Sequence, residues 1–389
     1  MLYYDIYSNQ TSTKGGEILV YLDYAASFPP YSQAMEEMMG LSLELYGNAG
    51  GIHSRASQLR AILQQSRRTL AELLNVQPQE LFFTSGGTES CNWAIKRGIA
   101  PGKRHIIVSG VEHKAVLRSA ESMKREGYSL TVVDADEKGL VPLARLEAAV
   151  RPDTGLIAVQ AVNNETGVMQ DVESIAALAR SRRIPYFCDG VQSFGHVSQP
   201  LGKASYTALS AHKLGGPVGV GALVVRQPYL LPPLMDGGGQ ELGRRAGTEN
   251  IPAIAAFALA ARLSCENPES EETRLAALGH SFIGLLHAEA PGMEINGAGS
   301  PRQPGIINCF FPGISAEELA MKLDRNGICC SPGAACGARD GKPSHVLLSM
   351  GLGEDRATRS LRFSMGRDTE LSQLEYTART IGKILRKEI

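Results

Sequence analysis

The chain has almost no net charge: 39 Lys and Arg stand against 40 Asp and Glu, for a formal charge of -1 over 389 residues. That balance excludes a general electrostatic attraction to nucleic acid or to an acidic membrane surface. Long apolar runs are also missing, so no stretch reads as a membrane span. The start, Met1–Asp5, has neither the basic nor the apolar region of a secretory signal. A cytoplasmic protein without membrane attachment or direct nucleic-acid contact is expected. The 7 cysteines (Cys91, Cys188, Cys265, Cys309, Cys329, Cys330, Cys336) are odd in number, scattered and without a CxxC pair. That pattern argues against a disulfide framework and a zinc site, and no metal is expected. Repeats, low-complexity tracts, a GxGxxG fingerprint and a Walker lysine are all absent, which makes a nucleotide an unlikely ligand.

What is present is an ordinary globular composition, 43% apolar with 42 Gly and 20 Pro. The length suggests two domains. After a weakly patterned arm of about twenty residues, short apolar runs alternate with helical stretches. Strands are expected at Glu80–Thr84, Arg104–Ser109, Ser129–Val133, Leu156–Val162, Ile184–Asp189, Tyr206–Ser210 and Gly219–Val225. Helices are expected at Gln33–Met39, Ala56–Leu74, Cys91–Lys96, Lys114–Glu126, Leu143–Val150 and Val172–Arg180. In the second helix Leu59, Ile62, Leu63, Leu70, Leu73 and Leu74 fall on one stripe. Such alternation implies an α/β fold of parallel βαβ units, with ligands at the carboxyl ends of the strands. The polar segment Cys265–Thr273 reads as a hinge into a smaller α+β region.

Four of those strand ends carry chemistry: Glu112-His113, Asn163-Asn-Glu-Thr-Gly167, Asp189-Gly-Val-Gln192 and Ser210-Ala-His-Lys213. Lys213 precedes a Gly-Gly-Pro loop at the mouth of the sheet, where desolvation favours a neutral amine able to form a Schiff base with a carbonyl cofactor. Ser85-Gly-Gly-Thr88, between a strand and a helix, makes an anion site from free N–H groups and the helix dipole. Asp189, closing an apolar strand, suits a pyridinium nitrogen. His113 is placed to stack on a ring or shuttle a proton. Arg362, in an otherwise apolar strand, suits a bidentate grip on a substrate carboxylate. Each motif alone has a plainer reading: a solvated lysine, an N-capped helix, a structural Asp or His, and for Arg362 a salt bridge.

Taken in order, the motifs Tyr21-Leu-Asp-Tyr-Ala-Ala, Thr84-Ser-Gly-Gly-Thr-Glu-Ser90, Glu112-His-Lys114, Asn163–Gly167, Asp189–Gln192, Ser210–Lys213, Arg245-Ala-Gly-Thr248, Gly333-Ala-Ala-Cys336 and Leu361-Arg-Phe-Ser-Met-Gly366 resemble a cysteine desulfurase of the NifS/IscS type. That group belongs to the class V aminotransferases among the fold-type I pyridoxal-phosphate (PLP) enzymes, and the likeness covers Tyr21 to about Arg367.

The resemblance implies a large PLP-binding domain, 31–264, with a mostly parallel seven-stranded sheet sandwiched by helices. It also implies a small domain from 1–30 and 265–389, carrying a catalytic cysteine loop at about 331–342. It makes Lys213 the residue that binds pyridoxal phosphate covalently and puts His113 over its ring. Asp189 pairs with the ring nitrogen, and Gln192 and Asn164 surround the ring hydroxyl. Gly87, Thr88, Ser210 and His212 bind the phosphate, with Thr248 reaching the phosphate of a second subunit in a homodimer. Arg362 with Asn164 holds the carboxylate of L-cysteine.

Cys336 is the implied nucleophile, taking sulfur as a persulfide, leaving alanine, and passing sulfur to an acceptor protein such as an iron–sulfur scaffold or a thiolation protein. Arg339 and Lys342 could lower its pKa by charge. Cys329 and Cys330 lie in an apolar run and are expected to be buried, though they could relay or misdirect sulfur. The alternatives are a selenocysteine lyase or cysteine C–S lyase, which would not need Cys336, and an inactive sulfur-carrier scaffold. Gly50-Gly51, Gly190-Val191, Ala246, and Pro332 with the Ala-Ala pair depart from the family's usual residues.

Overall fold

The computed structural model describes residues 19–226, 231–333 and 343–389. In chain order the first elements are β1 (Val20–Tyr21), α1 (Ser32–Glu44), α2 (Ser54–Leu74), β2 (Leu81–Thr84), α3 (Gly87–Arg97), β3 (His105–Ser109), α4 (Lys114–Met123) and β4 (Ser129–Val133). Then come α5 (Leu143–Ala149), β5 (Thr154–Ala158), α6 (Val172–Ser181), β6 (Tyr186–Asp189), β7 (Tyr206–Ser210), β8 (Gly221–Val225), the single turn α7 (Gln240–Gly243), α8 (Ile251–Ser264) and α9 (Pro268–Glu289). The rest is β9 (Glu294–Ile295), β10 (Ile306–Phe310), α10 (Ala316–Asp324), β11 (Ile328–Cys329), α11 (His345–Ser349), α12 (Gly353–Thr358), β12 (Ser360–Ser364) and α13 (Leu371–Leu385).

Seven strands form one sheet in the order β2-β8-β7-β6-β5-β3-β4. All neighbours run parallel except β8, which is antiparallel to both β2 and β7. Strands β3, β5, β7 and β8 are buried along their whole length, as expected where helices cover both faces. Alternate residues serve opposite faces. Phe82, Ile106, Phe187 and Leu223 pack with Trp93 and Val116 of α3 and α4. Leu81, Phe83, Ile107, Ile157 and Val224 pack with α2, α6 and α8. A third core surrounds the antiparallel sheet β12-β10-β9, where Phe282, Leu319 and Ile381 bring in α9, α10 and α13.

Helix α2 shows how local signals set an element. His53 Nδ1 accepts from the Ala56 N–H at its start, and Asn75 in the left-handed region ends it. Leu59, Leu63, Leu70 and Leu74 are buried, whereas Leu73 is 37% exposed, because it lies at the edge of the stripe the leucines define. The expected hinge at 265–273 is shorter than its polarity suggested. Only Cys265–Asn267 break the chain, and the acidic residues after them form the first turns of α9. Pro268 supplies a preset φ there, and Glu269 and Glu271 complement the positive end of the dipole.

One crossing matters for the site. Strand β1 pairs with β11 on the small-sheet side, and Val20 and Leu22 join that core. The chain then runs over the edge of the large sheet, where Phe28 N donates to His212 O (2.9 Å) and Tyr31 N to Gly215 O (2.8 Å). Residues 23–26 therefore lie between the two sheets, over the strand ends.

Candidate active site

The carboxyl ends of β3, β5, β6 and β7 open into a cavity of about 410 Å³. Gly87, Thr88, His113, Asn164, Asp189, Gln192, Ser210, His212, Lys213 and Arg362 all line it, so ten of the residues singled out from sequence meet around one space. Thr248 is exposed and is not among the lining residues. Cys336, Arg339 and Lys342 lie outside the described residues.

The anion site expected from the sequence begins at Gly86, which stands at the N-cap of α3 without a side-chain cap (φ 148°) and leaves first-turn N–H groups open to the cavity. Gly87 is required by close packing, because a Cβ there would lie 2.9 Å from Val191 Cγ2. The valine that departs from the family's usual residue thus fills the space beside this glycine. Ser210 Oγ lies 3.0 Å from His212 Nδ1. Burial, with help from the charge of Lys213, depresses the His212 pKa to about 4, so the imidazole is neutral at pH 7.

Lys213 follows β7 in a turn of 3-10 helix, and its Nζ donates to the carbonyls of Ala25 and Ala26, both at 2.7 Å. Gln192 Nε2 reaches the same Ala25 oxygen at 2.8 Å. Asp189 is buried at the end of β6. Burial raises its pKa, opposed by His113, the Val191 N–H, Lys213 and the Cys91 thiol. A buried carboxyl held against its desolvation cost is a fitting partner for a pyridinium nitrogen. Behind it Cys91 points its thiol at Asp189 Oδ2 (3.8 Å), and burial raises the thiol pKa well above its usual value. His113 Nδ1 accepts from Ala115 N (3.1 Å) and so caps α4. Burial lowers its pKa, which keeps the ring neutral and suited to stacking. Lysine, acid, stacking imidazole and N–H cradle therefore fit pyridoxal phosphate.

The opposite wall belongs to the small sheet. Arg362 occupies the middle of β12, and its Nη2 pairs with Asp23 Oδ1 at 2.6 Å while Nη1 donates to Asn164 O at 2.8 Å. Of the readings offered for Arg362, the salt bridge is present, and the residue also lines the cavity. Asp23 and Glu165 lie inside motifs visible in the sequence, yet nothing in those motifs says which residues they pair with. Glu165 is buried and accepts from Ser344 Oγ at 2.5 Å, and a Cβ on Gly333 (φ +69°) would lie 3.2 Å from the same carboxylate oxygen. Gly333 and Ser344, on either side of 334–342 in the sequence, thus both lie close to one acid.

Cys329 and Cys330 are half-buried rather than fully buried; Cys329 ends the two-residue strand β11, which among the described residues pairs with β1 alone. Burial raises both thiols, Cys330 the more strongly, which disfavours the thiolate that a sulfur relay needs. Among the described residues there is no metal-binding cluster, and no helix is long and apolar enough to cross a membrane.

Comparison with known proteins agrees with this geometry. The class V aminotransferase model matches residues 20–376. The chain is 36% identical over 376 residues to the cysteine desulfurase IscS of Clostridium botulinum, covering 95% of this chain and 94% of the relative. Among solved structures it is similar to a NifS-like protein (30% identity, 95% of this chain and 100% of that one, TM-score 0.87). It is also similar to SspA in complex with cysteine (32% identity, 89% and 99%, TM-score 0.80). These enzymes are pyridoxal-phosphate dependent as a family. The chain belongs to the class V aminotransferases, and within them to the cysteine desulfurases of the NifS/IscS type.

Proposed function

We propose that this enzyme holds pyridoxal phosphate on Lys213, grips the carboxylate of L-cysteine with Arg362, and takes the sulfur on Cys336. The observation that carries the reading is one cavity with an amine, a buried acid and a helix N-terminus on one wall and a guanidinium on the other. The bound cofactor supplies an electron sink for the bonds at the substrate's α-carbon. The protein does the rest. Asp189 presents its carboxylate to the ring nitrogen and Gly87, Thr88, Ser210 and His212 hold the phosphate. His113 covers the ring, and Gln192 and Asn164 stand around its hydroxyl. Lys213 would hold the cofactor in place of its present hydrogen bonds to the Ala25 and Ala26 carbonyls.

The Cys336 thiolate attacks the substrate sulfur. The Cβ–S bond breaks, an S–S bond forms on Cys336, and the electron pair left on Cβ takes a proton, so cysteine plus thiol gives alanine plus persulfide. Cys336 stands three positions beyond Gly333 in the sequence, and so short a tether spans at most about 10 Å. The packing of Gly333 against Glu165, next to Asn164 of the cavity, supports this role. The persulfide then passes to an acceptor protein. We also propose a homodimer in which Thr248 completes the partner's phosphate site, and a division into 31–264 and a smaller unit of 1–30 with 265–389. The separate core around β10 and β12, which includes Val20 and Leu22, supports that division.

The test is Cys336→Ser. The variant should bind cysteine, seen as a change in cofactor absorbance, yet release alanine at least about 100-fold more slowly and carry no persulfide. Alanine release at the parent rate would overturn the assignment and favour a lyase that does not need this cysteine.

A further inference from the structure

Arg362 is 1% exposed. Its backbone is pinned on both sides, opposite Asn308 in the β10–β12 register and opposite Ser331, whose N–H and C=O it bonds at 3.2 and 2.8 Å. A guanidinium does not lose its proton in a protein, so a charge this deep requires a partner. Asp23 is that partner, with Nη2 donating to its Oδ1. The carbonyl of Asn164 accepts a hydrogen bond from Nη1, and Nε has no hydrogen-bond partner among the described residues. Asp23 arrives from the far end of the chain, 339 residues away. Its backbone bridges Ser364 in parallel register, and the Ala25 N–H donates to Ser364 Oγ at 2.9 Å. The field of Asp23 is felt locally: burial first, then this carboxylate, pushes the Tyr21 phenol up to about 12.

We propose that Asp23 is the positioning and specificity residue of the substrate-carboxylate site. It sets the plane of the Arg362 fork and cancels its charge, so that the cavity takes amino acids with one carboxylate and disfavours those with two. This rests on the reading of Arg362 as the carboxylate grip. Asp23 and Asn164 each accept a hydrogen bond from a different terminal nitrogen, which leaves the guanidinium no freedom to rotate. Because the pair is neutral before substrate arrives, a carboxylate is recognised by hydrogen-bond geometry and not by bare attraction. A zwitterion such as cysteine is neutral overall and loses little. A second carboxylate on the substrate meets the negative field of Asp23 in a poorly solvated space.

The experiment compares Asp23→Ala and Asp23→Asn in the cofactor-loaded enzyme. Cysteine turnover is measured, together with equilibrium binding of alanine and aspartate read from the cofactor absorbance. Asp23→Ala should raise KM for cysteine and Kd for alanine roughly tenfold with kcat within about threefold, the loss expected for one charge-assisted hydrogen bond. Asp23→Asn keeps an acceptor in place without the charge. It should restore most of the alanine affinity and shift the aspartate-to-alanine affinity ratio toward aspartate by roughly fivefold or more. Unchanged KM and Kd in Asp23→Ala, or an unchanged ratio in Asp23→Asn, overturns the assignment. Arg362→Lys separates it from the reading beneath: if that variant leaves KM unaltered, Arg362 is not the carboxylate grip. If KM rises there but not in Asp23→Ala, only the role of Asp23 falls.

Discussion

The two cationic walls of the cavity are built differently. Lys213 sits just past the end of β7, in a turn followed by Gly215, whose φ of +84° and closeness to the Tyr31 ring (a Cβ would lie 2.6 Å away) leave no room for another side chain. Arg362 sits in the middle of β12, paired along the strand and fixed at both terminal nitrogens. A nucleophile has to trade its hydrogen bonds for a covalent one, which a turn at a strand end permits. A carboxylate grip works by not moving, and a central strand position enforces that. The comparison teaches that placement within an element, as much as residue type, separates the reacting group from the holding group.

That contrast can be broken at either wall. Lys213→Ala has the largest expected effect. Alanine release should fall by on the order of 10⁴-fold or more, the scale seen when a covalent nucleophile is removed, and the absorbance of covalently bound cofactor should vanish. An active variant at that position would mean that the turn does not carry the chemistry. Arg362→Ala comes next, with kcat/KM for cysteine about 100-fold lower and most of the loss in KM. Arg362→Lys should recover only part of it, because a point charge cannot reproduce the fork. A loss confined to kcat would place Arg362 on the reacting side of the comparison.

The smallest effect sharpens the strand-end wall. Glu112 is fully buried, with Oε1 accepting from Ser109 Oγ (2.5 Å) and Gln160 N (2.7 Å) and Oε2 without a hydrogen-bond partner among the described residues. Burial raises its carboxyl from 4.5 to about 8. The folded state therefore binds a proton that the unfolded state has released, and stability falls as pH rises between those two values. Glu112→Gln cannot ionise, so its unfolding free energy should be flatter across that window and exceed the parent's by about 1–3 kcal/mol at pH 9. Urea unfolding of both proteins at pH 5 and pH 9 reads the difference. Parallel curves would show that the buried acid is already charged.

Most of the strand-end wall was legible in the sequence. Polar residues closing apolar runs are a local pattern, and Glu112-His113, Asn164, Asp189 and Lys213 follow it. The small-sheet wall was legible only by halves. Arg362 stood out in an apolar strand, but nothing near it in sequence names Asp23, and Glu165 gives no sign of reaching Ser344. The segment 265–273 was misread because a run of acids looks like a linker until the helix dipole is considered.

Sequence alone pointed to the strands and helices of the large sheet and to many of the residues that face the cavity, because hydrophobic period and turn chemistry act over a few residues. Tertiary structure decided how those residues are paired: which carboxylate neutralises Arg362, which carbonyls hold Lys213, and which acid gathers Gly333 and Ser344. Hydrogen bonds of that kind are short-ranged in space but indifferent to separation along the chain, so only the folded backbone can choose among the many partners composition allows.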